Sequence, residues 1–230
     1  AVHSLKDLPT EPVPGLMLAA VPEREAVGDV LVSNTTASLD DLPQRAKVGT
    51  GSNRRRAQLL NYRSDLQVGD IRGNVDTRLR KLDEGEFDAI VLAEAGLRRL
   101  GLAERIGQVL PREIMLPAVG QGALGIETRQ ADDDARQVVE PLNDRGTRAA
   151  VIAERALLAG LRAGCLAPVG AWGRIDDEML LLEAAVLSPD GAQRLLAAGT
   201  APPGEPEALG EKVARDLLAQ GATELIDASR

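Results

Sequence analysis

Lys47-Val48-Gly49-Thr50-Gly51-Ser52-Asn53-Arg54-Arg55-Arg56 opens the stretch that decides the fold, and Gln67-Val68-Gly69-Asp70-Ile71-Arg72-Gly73-Asn74-Val75-Asp76-Thr77-Arg78 repeats its plan. Each passes from a short strand through a glycine-containing turn into a helix. The first helix is expected over residues 53–62. The second starts near Asn74 and sets Val75, Leu79 and Leu82 on one face at helical spacing. Asp88-Ala89-Ile90-Val91-Leu92-Ala93 follows as an apolar strand suited to burial on both faces, and a helix around 95–100 stops at Gly101. Repeated strand–helix units imply a mostly parallel sheet with helices on both sides. Ligands of such sheets sit beyond the carboxyl ends of the strands, where both arginine turns fall.

Charge points the same way. Eight of the 27 Lys and Arg residues lie within residues 52–81 beside three acids. That window carries +5 in a chain of net charge −8, leaving −13 for the rest. An acidic protein that gathers its positive charge where helix starts offer free N–H groups has the makings of a site for a small, highly anionic ligand.

Outward from this core, Leu16–Val21 is extended and apolar, Asp29–Ser33 reads as a strand, and Ser38–Pro43 as one capped helical turn ended by proline. Leu116–Glu127, apolar with three glycines, reads as a crossing strand or hinge. A helix over Asp132–Leu142 and a linker at Asn143–Gly146 lead to a separate α+β unit. That unit has a helix over about 147–162 and strands near 168–174, 179–187 and 193–200. In its final helix Leu209, Val213 and Leu217 share a face. The opening, Ala1-Val2-His3-Ser4-Leu5-Lys6-Asp7, reads like the end of a strand entering a functional loop, so a missing beginning is expected, with apolar sheet faces left exposed.

The 230 residues suffice for one large domain or two to three small ones. With one each of Phe, Tyr and Trp, the core must be built from Leu, Val, Ile and Ala. Scarce aromatics argue against base stacking, and the acidic balance against a groove that tracks phosphates, so no nucleic-acid partner is expected. A single cysteine allows no internal disulfide, which makes a reducing, cytoplasmic compartment the expectation. No run reaches the length of a membrane span, and residues 1–20 lack the regions of a signal peptide.

Several residues have both a structural and a chemical reading. Cys165, in the turn Gly164-Cys165-Leu166-Ala167-Pro168, is either a small buried hydrophobe or a thiol attachment point or nucleophile. Arg54, Arg55, Arg72 and Arg78 are either solvated helix-face charges or ligand contacts. Cations in the first helical turn oppose the helix dipole at a cost of up to about 1 kcal/mol, which favours a completing anion, and guanidinium forks suit carboxylates. Asp7 beside Lys6 is a surface pair, or an acid/base group and cation stabiliser if it enters the cleft. His3, the lone histidine, is read as a structural imidazole; no catalytic triad or multi-histidine metal site can be built on it. Asp132-Asp133-Asp134 is read as a helix cap, and Gly120-Gln121-Gly122 as a bend or a close approach to ligand.

His3-Ser4-Leu5-Lys6-Asp7-Leu8-Pro9, Val48–Arg55, Ile71–Leu79, Leu116–Ala123 and Gly164–Gly170 together resemble the porphobilinogen deaminase (hydroxymethylbilane synthase) family, in family order along essentially the whole chain. The resemblance implies an α/β fold. Its first two domains are periplasmic-binding-protein-like lobes, here residues 1–22 with 123–142 (incomplete) and 28–116. A small C-terminal α+β domain spans 145–230. It implies that Cys165 carries a dipyrromethane cofactor through a thioether bond. Four porphobilinogen units are then added with loss of ammonia, and hydroxymethylbilane is released. It further implies that Lys6, Thr50, Ser52, Arg54, Arg55 and Arg72 hold the cofactor and Arg78 and Gln121 the growing pyrrole chain. Asp7 is the implied catalytic carboxylate, no metal is needed, and the protein is a monomer of porphyrin and haem biosynthesis. There are two departures: Gly51-Ser52-Asn53 replaces the family's Ser-Ser-Leu, and the family's opening strand–helix stretch is absent. The rival reading is a truncated, non-catalytic, two-lobed anion-binding module.

Overall fold

The protein is described here from a computed structural model covering residues 1–11, 13–164 and 167–229. In chain order, β1 (Val2–Ser4) and β2 (Leu16–Ala20) precede β3 (Asp29–Val32), β4 (Lys47–Gly49), α1 (Asn53–Tyr62) and β5 (Gln67–Gly69). α2 (Val75–Asp83), β6 (Ala89–Ala93), α3 (Glu94–Arg99) and β7 (Gln108–Val109) complete the central region. β8 (Leu124–Arg129) and α4 (Asp133–Val139) follow. The C-terminal part comprises α5 (Arg145–Gly160), β9 (Val169–Asp176), β10 (Met179–Leu187), β11 (Arg194–Ala201), α6 (Pro206–Leu218) and α7 (Ala222–Asp227).

The central sheet has the order β5-β4-β6-β3-β7. β4 pairs parallel with β5 and β6, as strand–helix–strand crossovers require. β3 pairs antiparallel with both β6 and β7, so it alone runs against the others and the expected mostly parallel sheet has one reversed strand. No helix separates β3 from β4, so nothing forces the crossover that would align them. Alternation places Leu31, Val48, Ala89 and Val91 on the α1 side with Leu59, and Val30, Val32, Ile90 and Leu92 on the α2–α3 side with Leu79, Leu82 and Leu97. Both faces are buried, which explains why β6 reads as a continuous apolar run.

The first sheet, β1-β8-β2, is antiparallel throughout and leaves Val2 and Leu124 exposed. The C-terminal sheet, β11-β10-β9, is an antiparallel meander covered on one face by α5, α6 and α7. Leu209, Val213 and Leu217 of α6 are all buried in that core. α5 and α6 cross where Gly210 sits; a Cβ there would fall 2.3 Å from the Ala153 carbonyl oxygen, so only glycine permits this approach.

Local differences have local causes. Residues 38–43 form a turn, in which Ser38 Oγ accepts from the Asp41 amide at 3.3 Å, and not a helix. Only residues 124–129 of the Gly-rich stretch are strand; residues 116–123 turn back on themselves at Gly120 and Gly122, both at positive φ. The expected linker is shorter than read, because Asp144 caps α5 by accepting from the Thr147 amide at 2.7 Å. α7 and the two-residue β7 went unread. No helix among the described residues is long and apolar enough to cross a membrane.

Candidate functional site

The reversal of β3 places its first residue, Asp29, opposite Ala93, the last residue of β6. An acid that opens one strand thereby arrives at the carboxyl end of its neighbours, where α1 begins after β4. Ser52 caps α1, its Oγ accepting from the Arg55 amide, and the buried Thr50 hydroxyl accepts from the Ser52 amide at 3.2 Å. This capped first turn aims Arg54 and Arg55 inward, and both are buried.

Arg54 Nη1 donates to Asp29 Oδ2 at 2.6 Å and to the Leu116 carbonyl; Arg55 Nε donates to Asp29 Oδ1 at 2.9 Å and its Nη1 to the Val91 carbonyl at 3.1 Å. The Gln121 amide also donates to Asp29 Oδ1, at 3.1 Å, and to the Val27 and Gly28 carbonyls. Burial alone would raise the Asp29 pKa, but Arg54 and Arg55 overcome it by charge and hydrogen bonding and bring it down to about 2. The anion expected to offset arginine in a first helical turn is therefore supplied in part by the chain itself. The triad keeps one net positive charge, and Arg54 Nε is buried with no hydrogen-bond partner among the described residues.

Lys6 connects this cluster to the opening loop. Protein surrounding its ammonium lowers its pKa, Asp7 opposes that shift, and Arg55, Asp29 and Arg54 also act on it. Lys6 thus feels the charge of both Asp7 and the buried arginines. Arg78 reaches the same region: burial and then Arg55 lower its pKa, and its Nε donates to the Gly73 carbonyl at 2.9 Å. Arg72 stands apart, 86% exposed, with Asp70 4.0 Å away.

Lys6 and Asp7 line a cavity of about 670 Å³ whose lining also includes Arg155 and Arg162 of the α5 region and Gly164. Arg155 donates to the Leu8 and Pro9 carbonyls and so fixes the loop that follows Asp7. Cys165 itself lies outside the described residues, while its neighbour Gly164 is on the cavity wall.

Sequence reasoning missed a second buried acid. Glu154 of α5, fully buried, accepts from Arg24 Nη1 and Nη2 at 2.7 and 3.1 Å, from the Gly120 amide at 2.7 Å and from the Gly173 amide at 2.8 Å. Arg24 Nε donates in turn to the Gln121 carbonyl at 2.8 Å. A positive φ at Gly120, with Leu5 backbone where a Cβ would be, is what lets this turn pack so closely. Asp29 was legible only as an acid leading an apolar strand; Arg24 and Glu154 carry no local signal. His3 lies 3.3 Å from Glu127 of the adjacent strand, a structural placement, and Asp132 caps α4 through the Ala135 amide. Among the described residues no group of three or more His, Cys, Asp or Glu is placed to hold a metal ion.

Comparison with known proteins bears on both parts of the chain. Residues 1–137 match the family described as porphobilinogen deaminase, dipyromethane cofactor binding domain, and residues 148–219 match porphobilinogen deaminase, C-terminal domain. The porphobilinogen deaminase of Desulforudis audaxviator is 54% identical over 98% of this chain and 73% of its own length. That of Chlorobium luteolum is 48% identical over 100% of this chain and 75% of its own. A solved putative methionine-binding lipoprotein from Bacillus subtilis is similar at a TM-score of 0.39 and 16% identity, covering 55% of this chain and 60% of that one. With both parts matched in order and about half of all residues shared with the Desulforudis audaxviator relative, this chain belongs to the porphobilinogen deaminase family.

Proposed function

We propose that the chain joins four porphobilinogen molecules head to tail, with loss of ammonia at each step, and releases the linear tetrapyrrole hydroxymethylbilane for porphyrin and haem biosynthesis. The observation that carries the assignment of roles is that Lys6 and Asp7 line the same cavity as Gly164, the neighbour of Cys165.

The dipyrromethane cofactor fits the donors present. Its acetate and propionate carboxylates suit a buried Arg54 Nε that lacks a partner among the described residues and an exposed Arg72 whose neighbour Asp70 is 4.0 Å away. Lys6, Thr50, Ser52, Arg54, Arg55 and Arg72 would hold it, with Cys165 as the covalent anchor next to the cavity-lining Gly164. When bound, the cofactor supplies the free pyrrole carbon to which the first substrate is joined.

Each condensation breaks a C–N bond, with the electron pair leaving on ammonia, and forms a C–C bond as the attacking pyrrole carbon loses its proton. Positive charge develops on the incoming pyrrole as ammonia departs. Asp7 at the cavity wall stabilises that charge and holds the pyrrole N–H groups by accepting from them. Arg78 would position the carboxylates of the growing chain, and the buried Gln121 would act on it through Asp29 and Arg54, which it holds by hydrogen bonds. Because Asp29 cancels one of the two buried guanidinium charges, the triad attracts carboxylates without the full field of two bare arginines.

The three sheets correspond in this reading to three domains, residues 1–22 with 123–142, 28–116 and 145–230. The single cysteine supports a reducing, cytosolic compartment and the acidic balance the absence of a nucleic-acid partner; a monomer is what the family resemblance implies, and light scattering tests it. Intact-protein mass spectrometry on protein made in cofactor-producing cells, beside Cys165→Ser, tests the covalent role, and hydroxymethylbilane formation tests the activity. An unmodified thiol together with no product would favour a simple anion-binding module.

A further inference from the structure

Away from the Asp7 cavity, a second cavity of about 440 Å³ lies between the 110–116 segment, which leads out of the central sheet, and the C-terminal sheet. α5 and α6 cover the inner face of that sheet. Trp172 and Arg174 of β9, Glu183 of β10 and Ala198 of β11 belong to the other face, with Glu183 in register with both Trp172 and Ala198. The guanidinium groups of Arg112 and Arg174 both pack over the Trp172 ring, 4.0 and 3.9 Å from its centroid. Arg174 is ion-paired with Glu183.

Arg112 and Arg194 line the cavity and have no ion pair among the described residues. Arg194 Nη1 donates to the Glu113 carbonyl at 2.7 Å, but its Nε, like Arg112 Nη1, is buried without a hydrogen-bond partner among the described residues. Burial lowers the pKa of both, and Arg24 and Arg174 add to the effect on Arg112. Of the two acids on the wall, Glu183 is held by Arg174, and Glu113 is exposed. The remaining lining is apolar: Leu116, Leu196 and alanines of β10 and β11. Two half-buried guanidinium groups without a carboxylate partner among the described residues thus border a space of small-ligand size.

We infer that this cavity binds a small carboxylate with an apolar body, whose carboxylate accepts from Arg112 and Arg194 and whose body packs on Leu116 and Leu196. Such a ligand touches the exit of the central sheet and the C-terminal sheet at once. It is separate from the acetates and propionates handled beside Asp7, and it does not depend on the reaction proposed above.

Trp172 is the only tryptophan, so its fluorescence reports on the ring that Arg112 and Arg174 stack against. Titration of the full chain with 3-phenylpropionate should give a saturating change in Trp172 emission. Arg194→Gln, which leaves the Arg112–Trp172 stack in place, should weaken that response about tenfold or more, as expected for loss of a charge-assisted hydrogen bond. Arg112→Lys, which keeps the charge but not the fork, should weaken it as well, while Arg72→Gln should leave it unchanged. Far-UV circular dichroism confirms that each variant is folded. The inference is overturned by a response that does not saturate, by an unchanged Kd in a folded Arg194→Gln, or by loss of the response in Arg72→Gln.

Discussion

Replacing Asp29 by Asn tests the electrostatics of the site most directly. The change is close to isosteric, yet it leaves two buried guanidinium groups, 2.6 and 2.7 Å from the carboxylate, without a counterion. Removing one member of a buried ion pair costs about 3–5 kcal/mol, a large fraction of a typical stability of about 5–15 kcal/mol. The pH dependence follows from the Asp29 pKa, lowered from 3.8 to about 2 in the folded chain. A carboxylate whose pKa is depressed by folding stabilises above its unfolded value and loses that contribution as pH falls through the folded value. That contribution is about 2 kcal/mol here, present above pH 4 and gone near pH 2. Urea denaturation followed by circular dichroism should therefore show a gap of several kcal/mol between wild type and Asp29→Asn at pH 7, narrowing by about 2 kcal/mol toward pH 2. A gap under about 1 kcal/mol at pH 7, or one that stays constant with pH, would refute the assignment of Asp29 as the counterion.

Four further outcomes are expected. Asp7→Ala should lower turnover by about a hundredfold or more while the mass of the Cys165 adduct is unchanged; near-normal turnover would remove Asp7 from the chemistry. Arg72→Ala should slow elongation about tenfold or more with little change in Tm, because the side chain is 86% exposed, and parallel losses of both would make Arg72 structural. Glu154→Gln should cost about 3 kcal/mol or more in urea denaturation, since Arg24 is left facing a neutral amide; a neutral result would show that the Arg24 pairing adds nothing. Gly210→Ala should lower the Tm by at least about 3 °C, because its methyl group meets the Ala153 carbonyl, and an unchanged Tm would show that α5 and α6 separate freely.

What the sequence revealed and what it hid divide along physical lines. α1, read from its glycine turn and cap, begins and ends where expected, and β10 matches residues 179–187, because both depend on periodicity and capping within a few residues. Arg54, Arg55, Arg72 and Arg78 were read as one cluster because two neighbouring turns carry them; the fold buries Arg54 and Arg55 but leaves Arg72 86% exposed and apart. The direction of β3 was not legible: its apolar run reads the same whichever way it lies, and only pairing with β6 settles it. That direction brings Asp29 to Arg54, so the counterion stayed hidden with it. Glu154 and Arg24, 130 residues apart, meet only in the folded chain. An isolated acid in an alanine-rich helix looks like an ordinary solvated charge.

Residues 116–123 answer to two interior carboxylates at once: Gly120 gives its amide to Glu154, and Gln121 gives its side chain to Asp29. Inserting or deleting a single residue there would throw both donors out of register together and strand two negative charges away from water. Tolerance of length change should accordingly be low in this stretch and high at the exposed hairpin tip Asp177–Glu178 between β9 and β10, and homologues that lengthen their loops should do so at that tip.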